Sequence, residues 1–171
     1  MGLQVVNTGQ SAVNLADVKL RYWFTPDGSS AVNSTCDWAQ LGCGGVTHTV
    51  EQASGSAPGA SHYVEVGFAS GSLAPGAATG EIQLRLNKAD WSTFDESDDY
   101  SRSTSTGFTD HAKIGLYLGT ALTWGTAPDP PPAGRPGTHL TACRASRPYG
   151  CEVRAGAAPR RSARRTPRTR G

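Results

Sequence analysis

The sequence predicts an all-β domain, an antiparallel β-sandwich, followed by a disordered C-terminal tail. Three observations carry this. Apolar residues recur with period two in several short runs, no run has a helical period, and turn signals separate the runs. Those signals are Asn7-Thr8-Gly9, Pro26-Asp27-Gly28, Pro58-Gly59 and Pro75-Gly76.

Residues 3–7 already read as a strand, with nothing before them to pair with, so a first strand is expected to be missing. That would leave unpaired backbone groups along one edge. Next, Val18, Leu20, Tyr22 and Phe24 face one way and Lys19, Arg21, Trp23 and Thr25 the other, the signature of a strand with one face on a core. Val64, Val66 and Phe68 alternate with Tyr63, Glu65 and Gly67. Ile82, Leu84 and Leu86 alternate with Glu81, Gln83, Arg85 and Asn87. Ile114, Leu116 and Leu118 alternate with Lys113, Gly115 and Tyr117.

The 171 residues suffice for one domain with a real core. Charge divides the chain unevenly. Residues 1–127 carry 6 Lys/Arg against 12 Asp/Glu, and residues 128–171 carry 10 Arg against 2 acids. The second stretch also holds 8 of the 11 prolines and a single aromatic, Tyr149. It lacks the apolar material that offsets the entropy of ordering, so residues 128–171 are expected to be disordered, with the domain at 1–127. The Arg, Pro, Ala and Gly bias of this tail is what out-of-frame translation of a GC-rich gene gives. No apolar run approaches the roughly 20 residues that span a bilayer, so no membrane partner is expected, and residues 1–4 lack the regions of a signal peptide.

Cys36 and Cys43 lie in the domain, Cys143 and Cys151 in the tail. Their spacings fit no usual zinc pattern, and a local disulfide between Cys36 and Cys43 is the better reading, implying an oxidising, extracellular setting.

Gln83 and Arg85 stand on the polar face of their strand, and Asn87-Lys88-Ala89-Asp90 then turns the chain toward Trp91 in a polar segment. An indole beside a guanidinium and an amide suits sugar: the C–H face of a pyranose stacks on the ring while its hydroxyls reach the polar neighbours. The residues alone leave open whether Trp91 does this or plugs the edge of the core, and Trp38 raises the same question. Asp95-Glu96-Ser97-Asp98-Asp99 crowds four carboxylates into five residues, and Asp27 offers another on a turn. Such a group is either a solvated loop or a site for a hard cation with oxygen ligands. No acid–base pair stands out for a glycosidase, and the scattered His48, His62 and His111 give no support for a triad. Arg160-Arg161 and Arg164-Arg165 would bind nucleic acid only non-specifically.

The run Val6-Asn7-Thr8-Gly9, then Leu20-Arg21-Tyr22-Trp23-Phe24-Thr25 with Asp27-Gly28, Cys36-Asp37-Trp38, Leu73-Ala74-Pro75-Gly76, Asn87-Lys88-Ala89-Asp90-Trp91 and Tyr117-Leu118-Gly119 with Trp124-Gly125 resembles family 3 carbohydrate-binding modules. The resemblance covers residues 3 to about 127 in order. It implies a jelly-roll sandwich that binds calcium and lies on crystalline cellulose, or a related β-glucan, through a flat strip of aromatic and polar residues. Trp91, Arg85, Asp37 and Trp38 match strip positions, Asp37 as the acid that pairs with the arginine, and Gln83 matches a residue that anchors to neighbouring chains. Thr25, Asp27, Asp95, Asp98 and Asp99 match the positions that hold a structural calcium.

The implied function is non-catalytic targeting of an attached polysaccharide-degrading enzyme to its substrate, outside the cell, the catalytic domain being absent from this chain. The alternatives are a helper module that feeds glucan chains to a glycoside hydrolase, or part of a cellulase itself. Two departures stand out. Cys43 lies about where some members carry a strip tyrosine, and the first strand is missing.

Overall fold

The computed structural model describes residues 1–55, 57–128 and 151–156. They form twelve strands: β1 (Gly2–Asn7), β2 (Val13–Asn14), β3 (Val18–Phe24), β4 (Val32–Ala39), β5 (Val46–Gln52), β6 (His62–Phe68), β7 (Ser72–Leu73), β8 (Ile82–Lys88), β9 (Thr109–Asp110), β10 (Gly115–Leu118), β11 (Ala121–Trp124) and β12 (Cys151–Gly156). Single 3-10 turns occupy Leu15–Asp17, Cys43–Gly45 and Glu96–Asp98, and there is no α-helix among the described residues.

One sheet runs β4-β8-β1-β12-β9, the other β11-β10-β3-β6-β5, and β2 pairs with β7 apart from both. The chain crosses repeatedly from sheet to sheet, which is the jelly-roll pattern. Period-two alternation decides what lies between the sheets. Leu3 and Val5 of β1 and Ile82 and Leu84 of β8 enter the core from one side; Val18, Leu20 and Phe24 of β3, Val64 and Val66 of β6 and Leu116 of β10 enter from the other. Burying a side chain such as Phe24 or Leu20 contributes about 1.5–3 kcal/mol.

Strands β4 and β5 are absent from the sequence expectation because they are edge strands with little apolar material; most of Val-Asn-Ser-Thr-Cys-Asp-Trp is exposed or half-buried. A disulfide joins Cys36 in β4 to Cys43 just before β5 and so links the edges of the two sheets, as the sequence indicated.

One expectation is corrected: the edge beside residues 3–7 is not open, because a short segment of the stretch 128–171 pairs along it. Strand β12 pairs antiparallel with the whole of β1, Gly2 opposite Gly156 and Asn7 opposite Cys151, and continues to β9 through Arg154 opposite Asp110.

Backbone accounting shows why a strand is wanted there. Val5 and Asn7 direct their N–H and C=O groups to the segment 76–79: Thr79 N–H donates to Val5 O (2.9 Å), Asn7 N–H to Ala77 O (2.9 Å), and Gly76 N–H to Asn7 O (2.8 Å). Successive residues of a strand point to opposite edges, so Gly2, Gln4 and Val6 present theirs to β12. Pairing by backbone depends little on side-chain identity, which is why a compositional reading of the tail missed it. The rest of the tail, including Cys143, Arg160-Arg161 and Arg164-Arg165, lies outside the described residues.

Outward-facing Trp23 is nevertheless buried, because the segment at Tyr100–Ser101 covers it. Tyr100 meets its ring edge-on at 6.0 Å, and Ser101 Oγ accepts its N–H at 2.9 Å. On the same face the Arg21 guanidinium lies between the rings of Tyr63 and Tyr117, 4.6 Å from each, and Glu65 bridges Arg21 (2.9 Å) and Lys19 (2.7 Å).

Candidate sugar-binding face and acidic loop

Strands β4 and β8 build the face. Pairing sets Thr35 opposite Arg85, Cys36 opposite Leu84 and Trp38 opposite Gln83, with a register shift between Cys36 and Trp38. Asp37 is the extra residue of this bulge. A regular strand would point Asp37 and Trp38 to opposite faces; the bulge leaves both exposed and Ala39 buried. Arg85 Nη2 stands 3.1 Å from Asp37 Oδ1, an ion pair that ties the guanidinium of β8 to the bulge of β4. Gln83 Nε2 donates to Glu81 Oε1 at 3.0 Å, leaving its carbonyl for another donor. The four residues singled out on these strands are thus brought together, and the resemblance-based pairing of Asp37 with Arg85 is present.

Trp91 follows the end of β8 and is 70% exposed, Trp38 47%. Trp91 therefore does not plug the core. Its backbone is left-handed (φ 58°), a conformation that bulky L-residues rarely take, and its N–H donates to Lys88 O at 3.0 Å. Asp90 Oδ1 accepts both the N–H (3.0 Å) and the Oγ–H (2.8 Å) of Ser92, and these bonds hold the Asp90 carboxyl below its ordinary range.

The acidic loop is fastened to the turn after β3. Thr25 N–H donates to Asp99 Oδ1 (2.8 Å), and Asp95 N–H donates to Asp27 Oδ2 (2.7 Å), so all five residues matched to a calcium site lie on two segments tied to each other. Asp99 is buried, and burial pushes its carboxyl up to about 7; the Thr25 N–H works the other way, while the negative charges of Asp98, Glu96 and Asp27 add to the rise. No Lys or Arg forms an ion pair with Asp99 among the described residues. A buried carboxylate short of positive charge and close to the negative charges of Asp98, Glu96 and Asp27 suits a hard cation. Among the described residues the acids do not converge as a ready-made metal cluster of three.

Sequence reasoning missed the residues that seat this loop. Ser101 is fully buried and donates to Lys113 O at 2.6 Å, and a Cβ on Gly59 (φ 71°) would strike the carbonyl oxygen of Asp98. Nothing in the pattern around Ser101 marks it; Gly59 is legible as part of a turn only. The histidines are engaged locally: His48 Nδ1 with Ser34 Oγ (2.7 Å), His62 Nδ1 with Ser61 Oγ (3.1 Å) and His111 Nε2 with Ser101 O (3.1 Å).

Residues 1–125 match the family model described as a cellulose binding domain. The chain is 46% identical to an uncharacterized protein in the celA 5' region of Paenibacillus lautus, over 72% of the chain and 86% of that protein. It is 43% identical to the beta-mannanase/endoglucanase A of Caldicellulosiruptor saccharolyticus over 74% of the chain, and spans only 10% of that much longer protein. Among solved structures, CBM3b of the major scaffoldin subunit ScaA from Acetivibrio cellulolyticus superposes with a TM-score of 0.69 at 40% identity, covering 74% of this chain and 84% of that one. A biomass-sensing module from an RsgI-like protein of Clostridium thermocellum, described as resembling the family 3 module of the cellulosome, gives 0.70 at 36% identity, over 74% and 85%.

Proposed function

The chain belongs to the cellulose binding domain family, the family 3 carbohydrate-binding modules, and from that premise we propose that the outer face of β4 and β8 with Trp91 is its cellulose-binding surface. Members of the family bind cellulose and catalyse nothing, and so does this chain. In the proposed mode, Trp91 and Trp38 stack on pyranose rings exposed at a crystal face. Arg85, aligned by Asp37, donates to hydroxyls between them, and the Gln83 carbonyl accepts from another. The observation that carries the reading is the 70% exposure of Trp91 on a left-handed backbone.

A calcium ion held by Thr25, Asp27, Asp95, Asp98 and Asp99 would supply the positive charge that the acidic loop lacks. The raised Asp99 carboxyl supports this. We further propose that the module works outside the cell, joined to a polysaccharide-degrading catalytic domain. The Cys36–Cys43 disulfide suits an oxidising compartment, and relatives such as the endoglucanase are much longer than the segment matched.

Depletion of the purified chain from solution by microcrystalline cellulose tests the surface. Trp91→Ala is expected to weaken retention by tenfold or more, since truncating a central aromatic anchor typically costs about 2 kcal/mol or more. Retention equal to the parent chain overturns the assignment.

A further inference from the structure

Resting on the reading of Trp91 as a sugar-stacking residue, we propose that Lys88 is its positioning residue, a buried ammonium that holds the 88–93 turn in the shape that presents the indole. Lys88 is the last residue of β8 and continues the inward series Ile82, Leu84, Leu86, where the alternation calls for an apolar side chain. It is 3% exposed. A lysine so placed is costly unless its donors are satisfied.

Here Nζ donates to Thr93 O and to Asp27 O, each at 2.7 Å, and lies 5.1 Å from the centre of the Phe94 ring. Among the described residues Lys88 forms no ion pair with a carboxylate. Its charge meets carbonyl dipoles instead.

Those two carbonyls explain the arrangement. Thr93 lies two residues beyond Trp91, and Lys88 O accepts the Trp91 N–H at 3.0 Å, so one residue grips the turn on both sides of the indole, by its main chain before it and by its side chain after it. Asp27 belongs to the turn after β3, in the opposite sheet, and has a left-handed backbone itself (φ 53°). Lys88 thus ties the 88–93 turn to a fixed point of the sandwich. Ala89 N–H donating to Ala31 O (2.8 Å) adds a second tie.

A left-handed tryptophan relaxes to an ordinary backbone once nothing opposes it. The Lys88 clamp opposes it. Methionine at this site keeps the length and apolar stem and removes every donor.

The test uses the full chain carrying 5-fluorotryptophan, with Trp91 assigned among the four indole 19F signals from a Trp91→Phe sample. In Lys88→Met, the Trp91 signal is expected to shift or broaden while those of Trp23, Trp38 and Trp124 stay in place, and affinity for microcrystalline cellulose is expected to fall about tenfold. A folded Lys88→Met protein with an unmoved Trp91 signal, or with unchanged affinity, overturns the proposal. If Lys88→Met does not melt cooperatively, Lys88→Leu takes its place under the same criteria, because leucine continues the inward apolar series of β8 and donates to neither carbonyl. The 19F signal reports the clamp without reference to cellulose, so failure of the clamp is distinguishable from failure of the sugar-binding assignment, which Trp91→Ala decides.

Discussion

Trp91 carries two local costs at once, a left-handed backbone and a large apolar surface left in water. Strain of this kind, about 1–3 kcal/mol, persists where surroundings enforce it and commonly marks a binding site. Trp91→Gly is therefore expected to keep or raise the melting temperature, by up to about 1 kcal/mol of stability, while cellulose retention is lost. A lower melting temperature would mean that the indole supports the fold after all. The Arg85–Asp37 pair is nearly half exposed on both sides, so it orients the guanidinium more than it stabilises the chain.

Glu65 is the contrasting case on the opposite sheet. Burial works to raise its carboxyl, but hydrogen bonds from Lys19 and Arg21, with their charges, outweigh it and hold the group below its ordinary value of 4.5. A depressed carboxyl contributes stability above its unfolded value, and this is lost as pH falls through the folded value. Melts from neutral pH down to about 3 should show the parent chain losing stability more steeply than Glu65→Gln. Equal slopes would assign Glu65 no such role.

At the scale of the element, one inserted residue and one glycine shape the candidate sugar-binding face and the acidic loop. The bulge at Asp37 turns an edge strand into a presenter of two adjacent side chains, and the disulfide immediately beside it fixes the strand end. Gly59 lets the turn before β6 pass directly against the backbone at Asp98, where its carbonyl also accepts the Tyr100 N–H at 2.8 Å. Gly59→Ala meets both a positive φ and a backbone clash. It is expected to cost about 1–3 kcal/mol, seen as a lower melting temperature, and to weaken the effect of calcium.

If the acidic loop holds calcium as proposed, a chelator is expected to lower the melting temperature of the parent chain, because Asp27, Asp95, Asp98 and Asp99 then repel across the loop without compensation. A melting curve indifferent to both calcium and chelator would leave the acidic loop as a solvated one.

Across the whole molecule, the unexpected feature is that a tail strand completes the sheet. Without β12, the backbone groups of Gly2, Gln4 and Val6 would form an unpaired edge next to the core residues Leu3 and Val5. A chain ending at Ala127, or a full chain with Arg154→Pro, which deletes the N–H opposite Gln4, is expected to melt lower, with about 0.5–1.5 kcal/mol lost per ladder bond. It should also scatter light increasingly with concentration. Identical melts would show that β12 contributes nothing to stability.

The sequence by itself determined the sandwich, the inward faces of β3, β6, β8 and β10, the disulfide and the identity of the candidate sugar-binding residues. Each of these follows from short-range periodicity or from an ordered set of motifs. Only the tertiary structure decided that Trp91 stands exposed and strained, that a bulge turns Asp37 and Trp38 outward together, that Lys88 points inward onto two carbonyls, and that Cys151–Gly156 pairs with β1. The physical reason is common to all four. Each depends on backbone groups brought close by folding from distant parts of the chain, and backbone hydrogen bonding leaves little trace in side-chain sequence.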